Sequence, residues 1–197
     1  MVESRHILSL HPCSACWAEG ARMDRQIIFT ESRYPRLVTV RRGGTLQDTE
    51  HRLLAVWAVD CAQHVLHLFE QTQPSDDRPR RAIEQARAWA RGEISIAQAR
   101  TAAFAAHSAA REAFGAPKEA ARSAAHAVAV AHVAAHELGA AAYAIRAARA
   151  ATPEDEREKA GRLECQWQHA QLPIEIRKLV LDDQRLRNRK FWSLFDC

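Results

Sequence analysis

Glycine and proline are scarce, at seven each in 197 residues, and the glycines nowhere assemble a phosphate-cradling loop, a Gly-x-Ser-x-Gly elbow or a dinucleotide-binding fingerprint. Nucleotide-dependent and serine-hydrolase chemistry therefore lose their usual scaffolds. Long apolar runs are also missing. The longest uncharged stretches are 14 residues, Ser123 to His136, and 13 residues, His6 to Ala18, against the roughly 20 needed to cross a bilayer. The second run follows Arg5 as a leader peptide would, but His6, His11 and Pro12 interrupt it and no Ala-x-Ala cleavage site follows, so neither a membrane span nor export is expected. Cysteine is sparse and odd in number: Cys13, Cys16, Cys61, Cys165 and Cys197 argue against a disulfide framework and for a reducing cytoplasm. No concentrated basic stripe exists either. The formal charge of +4 is spread along the chain, with one Lys or Arg against five Asp or Glu over residues 46–76 and nine against nine over 152–197. The nearest approach to a nucleic-acid contact is Arg185-Leu-Arg187-Asn-Arg189-Lys190-Phe191-Trp192, which reads better as a solvated helix end, and nucleic acid is not expected as a partner.

Alanine is what the chain has in excess. It supplies 39 residues, 31 of them within the 70 from Ala82 to Ala151. Alanine is the best helix former and is depleted in strands, so this stretch cannot be a sandwich, a barrel or a doubly wound sheet. Thr45 with Asp48, or Asp48 itself, starts an amphipathic helix in which Leu53, Leu54, Val56, Trp57, Cys61, Val65, Leu68 and Phe69 recur at three-and-four spacing to about Gln71. A loop then ends in Asp77 as N-cap, a helix of roughly 79–91 stops at Gly92, and Ser95 caps a third that runs to about Phe114. Residues 117–151 form a fourth helical segment with a bend or stop near Gly139; its 120–145 stretch is apolar nearly all round, the mark of a central helix. Thr152-Pro153-Glu154 opens a fifth helix and Pro173 a sixth.

The fold class is therefore all-α: an antiparallel array of five to seven helices, with a short extended or strand-like N-terminal arm around Leu37-Val-Thr-Val40. Residues 1–35 read as an extension, with the part ahead of Met23 expected to carry little structure; 36–184 as the alanine-rich domain; 185–197 as a basic-aromatic tail. Small side chains let helix axes approach closely, and Trp57, Trp89, Phe104, Phe114, Tyr143 and Trp167 are expected to fill the gaps.

Histidines are the most chemical feature. His132 and His136, four apart, share a helical face with His126 nearby, and His107 stands in a stripe Arg100, Phe104, His107, Arg111 at spacings of four, three and four. With Arg122 these form a polar core or, in an alternative reading, a metal or small-ligand site. No His-Glu-x-x-His is present, and only Glu137 adds a carboxylate on that helix, so no metal and no cofactor is assigned. Cys13-Ser-Ala-Cys16 lacks a second pair and the βαβ context of a redox motif. Asp60 is expected to bond an arginine of a neighbouring helix. No residue is assigned a catalytic role, so an enzyme is not expected.

Several segments resemble a known family. They are Arg41-Arg-Gly-Gly-Thr-Leu, His51-Arg-Leu-Leu-Ala-Val-Trp57-Ala-Val-Asp-Cys61-Ala, Asp76-Asp-Arg-Pro-Arg80, Ala82-Ile-Glu-Gln-Ala-Arg87-Ala-Trp89-Ala-Arg-Gly92-Glu, Ala103-Phe-Ala-Ala-His107-Ser-Ala-Ala-Arg111, Ala120-Ala-Arg122-Ser-Ala-Ala-His126, Ala131-His132-Val-Ala-Ala-His136 and Gln171-Leu-Pro173. In order and spacing they are similar to the Imm5-like immunity proteins of polymorphic toxin systems, over about 36–181. The resemblance implies an all-α domain that neutralises a cognate toxin domain by binding it, without catalysis. Expected contacts are the exposed loop residues Asp76, Asp77, Arg78 and Arg80; a homo-oligomer is compatible with the pattern.

Overall fold

The structure is a computed structural model and describes residues 35–197. The Cys13/Cys16 pair and the Met23 boundary lie outside the described residues. Seven helices of at least 14 residues follow one another: α1 (Asp48–Val65, with a further turn at His67–Glu70), α2 (Arg78–Arg91), α3 (Ile96–Glu112), α4 (Gly115–Ala129), α5 (Glu137–Ala150), α6 (Arg157–Ala170) and α7 (Ile174–Arg187). No strand forms among the described residues. Leu37 ends one short 3-10 turn and Val40 opens the next, with one isolated bridge between Thr39 and Leu46.

Local chemistry sets the helix ends. Glu50 reaches back to the Gln47 amide (2.9 Å) at the start of α1, so the cap lies at Gln47 rather than at Thr45 or Asp48. Ser95 and Gln98 exchange bonds in a capping box at α3 (Gln98 N to Ser95 Oγ 3.3 Å, Ser95 N to Gln98 Oε1 2.9 Å). Gly92 ends α2 at φ +81°, a left-handed conformation that costs glycine little.

The fourth segment breaks earlier than the sequence suggests. α4 stops at Ala129, residues 130–136 turn the chain, and α5 begins at Glu137. The break lies where Val128, Val130 and Val133 crowd together; β-branched side chains lose χ1 freedom in a helix, and Val133 is extended. Folding back there lays alanine against alanine. Ala120, Ala121, Ala124 and Ala125 of α4 and Ala140, Ala141 and Ala144 of α5 are all fully buried. Helices α4 and α5 form the centre, with α1, α2 and α3 packed on α4, and α1 and α6 on α5.

Gly139 is thus not a helix breaker but a contact point. A Cβ there would lie 2.4 Å from Nδ1 of His126, so α5 approaches α4 only because that atom is absent. Gly139→Ala is expected to cost about 1–2 kcal/mol, overpacking outweighing the gain in helix propensity. Thermal unfolding checks this, and an unchanged or raised Tm contradicts it.

The aromatic residues divide differently from expectation. Trp57 is fully buried and donates its Nε1 to the Gln168 carbonyl at 2.9 Å. Trp89, Tyr143 and Trp167 are half-buried, whereas Phe104 and Phe114 are 60% and 82% exposed. The alanine helices pack so closely that no gap near Phe104 or Phe114 needs filling. Asp60 faces Arg87 of α2 at 3.7 Å. Burial lifts its carboxyl above the usual aspartate range, and Arg87 pulls it back.

Three features of the C-terminal half depart from the sequence reading. Cys165 and Cys197 are joined in a disulfide, where the cysteine usage argues against a disulfide framework. Leu194 and Phe195 are buried beyond the end of α7. Arg187, expected on a solvated basic face, is largely buried between Asp183 and Glu137.

Candidate functional site

Two groups of predicted site residues can be followed in the structure. The first surrounds the loop before α2. Asp77 is the N-cap residue of α2, as expected, but makes no side-chain capping bond; Asp76 supplies the carboxylate instead, its Oδ1 accepting from the Arg78 amide (3.1 Å) and Nε (2.8 Å), and its Oδ2 from Nη2 (2.6 Å). The same guanidinium donates to Glu112 at the end of α3 (3.2 and 2.5 Å). Arg78 therefore clamps the loop to α3 and holds the Asp76 carboxyl below the ordinary aspartate range. The clamp shapes an open, polar depression of about 500 Å³ lined by Thr72 to Asp76, Arg78 and Glu112. Asp77 pairs instead with Arg81 (2.7 Å), one turn along α2, and Arg80 with Glu70 (2.6 Å). Every charge expected to contact a partner here already has an intramolecular one.

The second group is the histidine cluster. The broken helix means His132 sits in the turn and His136 at the start of α5, rather than on one helical face. The fold nevertheless brings all four histidines together. Ring centroids are 5.3 Å apart for His107 and His126, 5.3 Å for His126 and His136, and 5.2 Å for His132 and His136. Tyr143 stacks on His126 at 5.1 Å. Beyond it Arg146 lies over Trp192 (4.3 Å), extending the stack to the C-terminal segment.

Burial, helped by neighbouring charges, holds these imidazoles below the ordinary histidine range. Burial pushes His126 down to about 3, with His136, His107 and Arg122 adding to the effect. His136 falls to about 4 through burial, then His132, His107 and Arg187. Burial also lowers His107, beside Arg122 and Arg111, and His132, beside Arg100 and Arg42. Arg42 donates to the His132 carbonyl (3.0 Å), Arg100 lies over Phe104 (5.5 Å), Arg111 donates to Ser108 (2.5 Å) and Arg122 lies over Tyr143 (5.8 Å). None of these four guanidiniums forms an ion pair within 4 Å among the described residues, although Arg111 acts on neighbouring Glu112 through its charge. The cluster is a cationic surface over neutral rings.

Among the described residues, the group of three metal-capable side chains whose ligand atoms fall within 4.8 Å is Cys165, His169 and Cys197.

Sequence reasoning did not find Arg42, Arg146 or Trp192 at this cluster. They come from the N-terminal arm, α5 and the C-terminal segment, with no periodic relation to the α3 and α4 stripes. Arg187 was also missed, although Glu137, the lone carboxylate in an apolar run, was a signal that a buried cation must face it.

Comparison with known families decides what kind of protein this is. The family model described as Imm-5 like putative immunity protein matches residues 44–175, about two thirds of the chain. The chain belongs to this family. The match spans α1 to α6, and so includes both the loop before α2 and the four histidines. No curated protein and no solved structure shows significant similarity. No helix among the described residues is long and apolar enough to cross a membrane.

Proposed function

We propose that this chain is a non-enzymatic immunity protein that neutralises a bacterial toxin in the cytoplasm by binding the toxin domain directly. Membership of the Imm-5 like family carries the reading. The surface supports a protein partner. Helix α3 exposes Phe104 between Arg100 and Arg111, and Phe114 follows its end. Aromatic and arginine side chains are those that most often carry interface energy, and guanidiniums outside any ion pair favour an acidic patch on the toxin. The Asp76, Asp77, Arg78 and Arg80 loop is the second proposed contact. Its internal ion pairs preorganise it, so a partner would meet a rigid, electrically balanced rim rather than free charges.

The test is growth. Cells expressing the toxin domain encoded beside this gene are expected to recover when the chain is co-expressed, and to lose that protection with R100E/R111E. Arrest that the wild-type chain does not relieve overturns the function; protection that survives the double variant overturns the α3 contact.

A second reading places a small ligand among Arg100, His107, Arg111, Arg122, His126, His132 and His136. The guanidiniums outside any ion pair favour it and select an anion. Inorganic phosphate or pyrophosphate should then raise Tm, as any ligand of the native state must. A flat Tm up to about 10 mM, a concentration that would reveal even millimolar binding, removes this reading.

A further inference from the structure

Cys165 and His169 stand one turn apart on α6, so their side chains project on the same face. After α7 the chain folds back over them. Asn188 accepts the Phe195 amide (3.0 Å) and donates to Asp196 (2.6 Å), which closes the turn that delivers Cys197. The Cys197 sulfur then lies 3.6 Å from His169 Nδ1, and the Cys165 sulfur 4.0 Å from Nε2. A third element fixes the ring: Nε2 also lies 2.7 Å from Oε1 of Gln184, a buried residue of α7. An amide oxygen only accepts, so Nε2 carries the proton and Nδ1 keeps its lone pair on the Cys197 side. Metal-binding histidines are held this way, one nitrogen ligating and the other N–H given to a carbonyl.

We propose that, once the Cys165–Cys197 disulfide is reduced, Cys165, Cys197 and His169 Nδ1 bind one Zn²⁺, leaving a fourth position for water. Two thiolates and an imidazole are a donor set that zinc favours over hard cations, and the two sulfur charges balance the ion. Reduction by a dithiol breaks the S–S bond, adding two electrons and two protons to give two thiols and the donor's own disulfide. Zn²⁺ then forms two Zn–S bonds and one Zn–N bond, and the two thiol protons leave to solvent. Disulfide and metal exclude each other, so the site holds the C-terminal segment to α6 in either redox state. It is independent of the toxin-binding reading, since neither the α3 face nor the loop before α2 contributes to it.

Cobalt reports the site. The full chain, reduced and freed of reductant without air, is titrated with Co²⁺ and then with Zn²⁺. The expected result is about one Co²⁺ per chain with the sulfur-to-cobalt charge-transfer band and the visible bands of a tetrahedral thiolate site, all erased by Zn²⁺. The bands should be absent from the disulfide form and from C197S, and retained in C13S/C16S. H169A should bind at least about tenfold more weakly, and Gln184→Leu roughly tenfold, through loss of ring orientation. The proposal is overturned if the reduced chain shows no charge-transfer band, or if the band survives in C197S, is unaffected in H169A, or is lost in C13S/C16S.

Discussion

Replacing Arg187 by methionine is expected to lower stability by about 3–5 kcal/mol, the usual cost of leaving a buried charge without its partner. Asp183 and Glu137 both have fully buried side chains. Arg187 donates Nε to Asp183 Oδ1 (2.8 Å) and Nη2 to Glu137 Oε1 (3.1 Å), with a further close contact to Asp183 Oδ2. Burial holds the Glu137 carboxyl well above the ordinary glutamate range, Arg187 pulls it down, and neighbouring Asp183 adds to the rise. The guanidinium thus neutralises a pair of acids that share a site. Its Nη1 also donates to the Ala135 carbonyl at 3.0 Å. That bond ties α7 to the turn carrying His132 and His136, so the substitution should loosen the histidine cluster as well. Urea unfolding at pH 7.5 checks the cost. A loss under about 1 kcal/mol would place this pair among ordinary surface pairs and refute its buried role. Replacing all three side chains with E137L/D183L/R187M should recover most of the loss, because apolar replacements of a buried ion network are often neutral or better.

Acid is the second large effect. His126, pushed down to about 3, and His136, pushed down to about 4, stay neutral in the folded chain while their unfolded counterparts protonate near 6.5. Between those values the unfolded state binds more protons, so stability rises with pH and is lost as pH falls from 6.5 toward the folded values. At pH 5 each histidine should cost about 2 kcal/mol relative to pH 7.5, or about 4 kcal/mol for the pair. The lowered His51, His107 and His132 act in the same direction. Glu137 acts oppositely, since its raised carboxyl favours the folded state more as pH falls. A difference measurement separates the contributions: His136→Asn should flatten the wild-type pH dependence by about 2 kcal/mol over this range. An unaltered slope would mean that His136 is not held neutral by the fold.

The helices were legible because their signals are local. Gly92, the Ser95 cap and the Pro153 and Pro173 starts each involve a few neighbouring residues, and the alanine density excludes strands without reference to anything distant. The break at 130–136 is expected near Gly139 instead, because glycine reads as a breaker in isolation. Its purpose, making room for the His126 ring, exists only once α4 and α5 have packed. Alanine content showed that helices would pack closely, but not that Phe104 and Phe114 would be left outside as a result. The histidine and arginine stripes were visible at helical spacing, and the fold does assemble them. The arginines that complete the field, Arg42 and Arg146, arrive through long-range connections without periodicity. Cys165 and Cys197 are 32 residues apart, and nothing short of the chain's return over α6 could pair them.

The most direct test of the proposed neutralisation is the dissociation constant of the purified chain for the toxin domain that the proposal places in a neighbouring gene, measured by titration calorimetry at about 150 mM salt, where the Debye length is about 8 Å. The expected value is about 1–10 nM with one chain per toxin domain, weakened at least about 100-fold, or about 2.7 kcal/mol, by R100E/R111E. No detectable heat with the wild-type chain at about 10 µM, a limit near 7 kcal/mol of binding, would contradict neutralisation by direct binding.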